Sequence, residues 1–158
     1  MKTIADELST HRFFSKIAPD HLQVIGGCGR NVVVPSGTTI IREGAQADAF
    51  WALRTGRVAL GVVAPGRGLQ TLETLHAGDI LGWAWLFPPY RWHFDAEALD
   101  DVHAIVFDAA CLRGKCQEDP ALGFDLTQRF ASILEERLQA TRMRLLDLYG
   151  HPNPALKT

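Results

Sequence analysis

Apolar residues change their spacing twice along the chain. Ile4, Leu8, His11 and Phe14 recur in steps of three and four, the period of one helix face. Pro19 then stands at the start of a second short helix, which runs through Leu22 and Ile25 to a Gly26-Gly27 stop. Residues 1–28 therefore read as an N-terminal helical segment. Between 29 and 108 the pattern breaks into short β-rich runs: Val32–Val34, Thr38–Ile41, Ala49–Arg54, Arg57–Val63, Leu69–Leu75, Asp79–Leu81, Trp92–Leu99 and Val102–Phe107. Glycine-bearing breaks separate them at Gly37, Gly44, Gly56, Pro65–Gly68 and Gly78. Eight strands at this spacing predict a mainly β fold, an eight-stranded jelly-roll β-barrel with flanking helices.

Helical spacing returns over 109–149. Asp108 is placed to cap a helix through Cys116, and Asp119-Pro120 is an N-cap followed by proline at the first helical position. Nothing breaks the next helix until Gly150, ahead of Pro152. Residues 120–149 would form a rod about 45 Å long, more than a small domain needs. Along it Leu134, Leu138, Thr141, Leu145 and Leu148 form a heptad-like seam, with Phe130 and Leu126 upstream. Arg129, Arg137, Arg142 and Arg144, mixed with Glu135, Glu136 and Asp147, read as the solvated side of the helix. Residues 150–158 read as a frayed tail, and the whole as one domain.

Composition narrows the function classes. The chain has 158 residues, 47% of them hydrophobic, and a net charge of −2. That balance argues against a strongly basic nucleic-acid binder and against an acidic disordered chain. No apolar run is long enough to span a membrane, and the first residues lack the apolar core of a signal peptide. Cys28, Cys111 and Cys116 are three in number and lack CxxC spacing, which predicts reduced thiols in a cytoplasmic protein.

The stretch richest in candidate chemistry is Gly78-Asp79-Ile80-Leu81-Gly82-Trp83-Ala84-Trp85-Leu86-Phe87, followed by Pro88-Pro89-Tyr90-Arg91-Trp92-His93-Phe94. A strand ends in glycine, one helical turn follows, and a Pro-Pro loop leads into the next strand. The order of these pieces resembles the cyclic-nucleotide-binding domain family, whose members include the sensor half of catabolite-activator-type regulators. The resemblance is carried by Pro35-Ser36-Gly37, Arg42-Glu43-Gly44, Phe50 through Val58, Ala77 through Gly82, and a last strand ending at Phe107-Asp108. It extends over roughly residues 13–149.

For a ligand, the resemblance implies a cassette of Phe-Gly-Glu, a short helix, then Arg-Ser/Thr-Ala. Its glutamate takes the ribose hydroxyl and its arginine the cyclic phosphate. Here Gly82 matches the glycine, and Trp83 stands where the glutamate belongs. Strand parity groups Trp92 with Phe94, Ala96 and Ala98. Trp92 thus takes the arginine position, His93 the Ser/Thr slot, and Arg91 points elsewhere unless the Pro88-Pro89 loop bends it back. Losing both charged partners costs roughly 3–6 kcal/mol, about 10² to 10⁴ in affinity. Three readings of Gly82, Trp83, Ala84, Trp85, Leu86, Arg91, Trp92 and His93 follow. The tryptophans fill the pocket and the module binds only proteins; or they line a pocket for another small aromatic or anionic effector, with Arg91 or the N-terminus of the helical turn meeting its charge; or Arg91 still binds cyclic AMP or cyclic GMP.

Other sites are weaker. His76, His93 and His103 lack the His-x-His spacing of a cupin metal centre, and no nucleophile elbow, phosphate loop or paired-carboxylate frame occurs. No metal and no enzymatic activity are expected. Eight residues after Gly150 leave no room for the helix-turn-helix domain of the family's transcription factors, so no DNA contact is expected. The reading is a cytoplasmic, stand-alone sensor module that acts through ligand- or partner-dependent positioning of its C-terminal helices. The resemblance further implies a parallel homodimer through Phe130, Leu134, Leu138, Thr141, Leu145 and Leu148. A protein partner and a closed-pocket adaptor are the alternatives.

Overall fold

The computed structural model describes residues 2–149. The Gly150 stop and the tail through Thr158 lie outside the described residues. The first helix, α1 (Ile4–Ser9), opens on a reciprocal cap in which Asp6 N–H donates to Thr3 Oγ1 and Thr3 N–H to Asp6 Oδ2. It ends earlier than the spacing of His11 and Phe14 predicts. The reason lies in His11, whose Nδ1 takes the backbone N–H of Phe13 (3.2 Å) in competition with a helical carbonyl. Its Nε2 reaches the Leu53 carbonyl (3.1 Å), so both ring nitrogens are used. Burial pushes the imidazole pKa below its ordinary value. The turns of residues 10–18 still bury Phe13, Phe14 and Ile17. After them, α2 (Pro19–Gly26) begins on its proline.

Eight strands follow, divided between two antiparallel sheets, with β4 and β5 a hairpin in one of them. One runs β1 (Gly29–Val34), β8 (Val102–Asp108), β3 (Ala49–Thr55), β6 (Ile80–Leu81); the other runs β2 (Thr39–Ile41), β7 (Asp95–Ala98), β4 (Val58–Ala64), β5 (Gly68–Leu75). This is a jelly-roll order. The predicted closure into a barrel does not occur: among the described residues no ladder joins the sheets, and β1, β6, β2 and β5 remain edges. The physical reason is length, because β6 has two residues and β2 three, too few to pair across both sheets.

β7 is shorter than the predicted Trp92–Leu99 run. The backbone of Trp92 is taken by the 44–45 loop instead: Gly44 N–H donates to its carbonyl (2.8 Å) and its own N–H to the Ala45 carbonyl (3.0 Å). The parity argument survives, since Trp92, Ala96 and Ala98 are all buried and Arg91 is exposed.

The core has two parts. Between the sheets lie small and branched residues such as Ile41, Leu60, Ala96 and Ala104. Beneath the helices lies an aromatic stack: Phe50 is parallel to Trp85 (4.9 Å) and to Phe107 (4.6 Å), with Phe130 edge-on at 5.2 Å. Asp108 caps α3 (Ala109–Glu118) by accepting from Cys111 N–H (2.8 Å). Asp119 accepts from Ala121 and Leu122 at the start of α4 (Pro120–Tyr149). His21 of α2 bonds Asp125 of α4 at 3.1 Å, which raises the imidazole pKa.

The thiols depart from expectation. Cys28 and Cys111, 83 residues apart, are joined as a disulfide with Cα atoms 5.9 Å apart; Cys116 is free. Sequence spacing missed the pair because the end of α2 and the first turn of α3 meet only once β1 has paired with β8.

Candidate functional site

The cassette starts where β6 ends. Gly82 has φ +99°, and a Cβ there would stand 2.6 Å from Trp92 Cη2. The indole of Trp92 therefore lies directly on the Gly82 backbone, and Trp92 is 4% exposed. Trp51 (6.2 Å) and Phe94 (6.0 Å) flank it. Trp83, half-buried, meets the same Phe94 at 6.3 Å.

Ala84–Leu86 form one 3₁₀ turn. Trp85 points away from its two neighbours, into the stack with Phe50 and Phe130, and is fully buried. Arg113 of α3 holds the Trp85 carbonyl (2.7 Å) while its guanidinium stacks on Tyr90 (4.2 Å). The three cassette tryptophans thus separate into a pair, Trp83 and Trp92 around Phe94, and a single core residue, Trp85. Ala84 is buried and Leu86 half-buried, whereas His93 is exposed. Arg91 is exposed too, bridges to Gln46, and reaches the Gly44 carbonyl at 3.4 Å.

The guanidinium at this site comes from elsewhere. Arg137 of α4 lies over the Trp83 ring (4.6 Å), donates from Nη2 to the Ile80 carbonyl (2.8 Å) and stands 3.8 Å from Glu73 on β5. Its side chain is 15% exposed, and its Nη1 is buried with no hydrogen-bond partner among the described residues. Burial lowers its pKa from the usual arginine value, while Glu73, Asp79 and Glu136 oppose the shift.

The reading of the arginine side as solvated is corrected for Arg129 and Arg137, which are half-buried, whereas Arg142 and Arg144 are exposed. Arg129 donates to the Phe13 carbonyl (2.9 Å) and Arg144 to the Leu72 carbonyl (3.0 Å). With Arg137, these residues at steps of eight and seven fasten one α4 face to the N-terminal turns, β6 and β5. The spacing was the available signal; which carbonyls it would meet was not.

The proposed seam is divided. Phe130 is buried among Phe13, Phe50 and Trp85 of its own chain. Leu134 is half-buried, and Thr141, like Leu138 (50%), Leu145 (49%) and Leu148 (72%), is exposed. Leu138 and Leu145 each follow a fastened arginine by one residue, so they lie about 100° around the helix from that face.

Among the described residues, no group of three or more His, Cys, Asp or Glu side chains is placed to hold a metal ion. No helix there is long and apolar enough to cross a membrane.

The family model of the cyclic nucleotide-binding domain matches residues 31–119. The chain belongs to this family. Its sequence is 24% identical over 135 residues to a CRP-like cAMP-activated global transcriptional regulator of Mycobacterium tuberculosis, covering 85% of this chain and 58% of that protein. An HTH-type transcriptional regulator of the same organism, Cmr, is 24% identical over 119 residues, or 75% of this chain and 47% of that one. The chain therefore spans about half the length of the curated relatives it matches. A crystal structure of a candidate cyclic nucleotide-binding protein from Geobacter metallireducens GS-15 superposes with TM-score 0.76 at 27% identity, covering 85% of this chain and 97% of that one. Within this cyclic nucleotide-binding domain the fold is kept, and the indoles of Trp83 and Trp92 pack around Phe94 in the turn and loop that follow β6.

Proposed function

We propose that this chain is a regulatory module of the cyclic nucleotide-binding family in which the cassette serves as a packed seat for α4 in place of a cyclic-nucleotide site. The observation that carries the reading is Trp92. Its buried indole lies on Gly82 at the arginine position, where an anionic phosphate would need a charged donor. Trp83 adds a second apolar ring at the glutamate position, and Arg137 holds α4 over it. The output is α4, whose arginine face is fastened to the β-sandwich and whose leucine face is free to meet a second copy or a partner. Binding or release at the cassette then moves α4.

A specific observation favours a second reading. Arg137 Nη1 is buried without an acceptor among the described residues, and a small aromatic anion entering beside Trp83 would supply one. Such an effector would replace the cyclic nucleotide and act on the same helix.

The deciding experiment is a thermal-shift and calorimetric titration with cyclic AMP and cyclic GMP, repeated with aromatic carboxylates and phosphates. A ligand at 100 times its Kd adds about 2.7 kcal/mol, roughly 5–11 °C in a domain of this size. No saturable shift is expected with either cyclic nucleotide at millimolar concentration. A saturable shift with cyclic AMP or cyclic GMP overturns the reading, and a shift with an aromatic anion alone selects the second one.

A further inference from the structure

We propose that Cys28 and Cys111 form a reversible thiol–disulfide switch, with a small-molecule disulfide of the glutathione class as co-reactant. Closed, it fastens the first turn of α3 to the α2–β1 junction. The inference does not depend on what the cassette binds.

Four observations carry it. First, the two backbones are already joined without the sulfurs: Asp108 N–H donates to the Cys28 carbonyl (2.9 Å), and Ala109 N–H to that of Asp48 (3.0 Å). The fold therefore presents the two side chains at 5.9 Å between Cα atoms, within the range a disulfide spans without backbone movement. Second, both cysteines line an open surface cavity of about 490 Å³ with Gly29, Arg30, Asp48 and Asp108. Cys111 is half-buried there and Cys28 is 8% exposed, so Cys111 is the sulfur more open to a small thiol compound. Third, Cys111 sits in the first turn of the ten-residue α3. There its N–H donates to Asp108 Oδ1 (2.8 Å), which fixes Cys111 at the cavity wall, and the thiolate is the species that attacks.

Fourth, Cys116 supplies an internal contrast. It lies on the same helix but packs against Gly123 of α4, and burial together with Asp119 pushes its thiol pKa up. It remains a thiol.

The chemistry balances by exchange. The Cys111 thiolate attacks one sulfur of the small disulfide, forming a mixed disulfide and releasing one small thiol. The Cys28 thiolate then attacks the Cys111 sulfur, forming the internal disulfide and releasing the second. Two protein thiols are oxidised, one small disulfide is reduced to two thiols, and the excess of a small thiol reverses the sequence.

The bond encloses a long stretch of chain, and long loops gain most from cross-linking. It also places the restraint where α3 leaves β8, so α3, and through it the base of α4, is held in one position when the switch is closed.

The test uses the full chain, equilibrated in oxidised glutathione or in dithiothreitol, then alkylated and mapped by mass spectrometry without reduction. The oxidised sample is expected to give a linked Cys28–Cys111 peptide with Cys116 alkylated. It is expected to melt about 10 °C higher and to show slower amide exchange over 109–118, all reversed by dithiothreitol under native conditions. Cys111→Ser and Cys28→Ser should each abolish the difference between buffers, and Cys116→Ser should keep it. If a serine variant fails to fold, the oxidised and reduced wild type carry the comparison alone. Full alkylation of Cys28 and Cys111 after oxidised glutathione overturns the proposal. So do linkage through Cys116, equal melting in both buffers, and a bond that opens only on unfolding.

Discussion

Gly82 and Trp92 together decide what the cassette can hold. The left-handed φ of Gly82 and its missing Cβ let the indole approach, and the indole then lies directly on the Gly82 backbone. Gly82→Ala would combine backbone strain of about 1–3 kcal/mol with overpacking of about 1–3 kcal/mol. The melting temperature should fall by roughly 4–24 °C, measurable by calorimetry. A variant melting within about 2 °C of wild type would mean that the Trp92 ring is loosely held and the pocket can open. Trp85 differs although it lies only two residues from Trp83. It belongs to the Phe50–Phe107–Phe130 stack, so its contribution is to stability.

At the level of elements, α4 changes character along its length. Leu122, Leu126 and Phe130 are buried in the domain, whereas from Leu138 onward the apolar residues are exposed. Between these regions Arg137 pins the helix to β6 and to Trp83. A hydrogen bond to a charged group contributes about 1.5–3 kcal/mol, and the low exposure of Arg137 keeps solvent screening small. Arg137→Met should therefore lower the melting temperature by roughly 3–12 °C, speed amide exchange over 130–149 and change Trp83 emission. Unaltered exchange along α4 would show that Arg129, Arg144 and the packing of Phe130 suffice to hold it, and Arg137 would lose its role as the pin.

For the whole molecule, the two faces of α4 imply an assembly. The arginine face is committed to the β-sandwich, and among the described residues the leucine face has no cover. Wild-type protein should sediment at about twice its 17.4 kDa mass through isologous pairing of this face. Leu138→Asp with Leu145→Asp should return it to the monomer mass without lowering the melting temperature of the β-sandwich, since both leucines are about half exposed. A monomeric wild type would leave a different protein as the occupant of that face.

The local signals determined much of this. Short β-rich runs separated by glycine-bearing breaks placed all eight strands within a few residues, because strand propensity and turn chemistry are written residue by residue. Asp108 and Asp119-Pro120 marked the starts of α3 and α4 for the same reason, and parity on the last cassette strand put Trp92 inward and Arg91 outward. Tertiary structure alone decided the rest, because each case turns on partners distant in sequence. The short β2 and β6 left two sheets where a barrel was expected. The pairing of β1 with β8 brought Cys28 to Cys111 across 83 residues. The docking of α4 turned Arg137 from a surface charge into the guanidinium above Trp83, through carbonyls that no local spacing could identify.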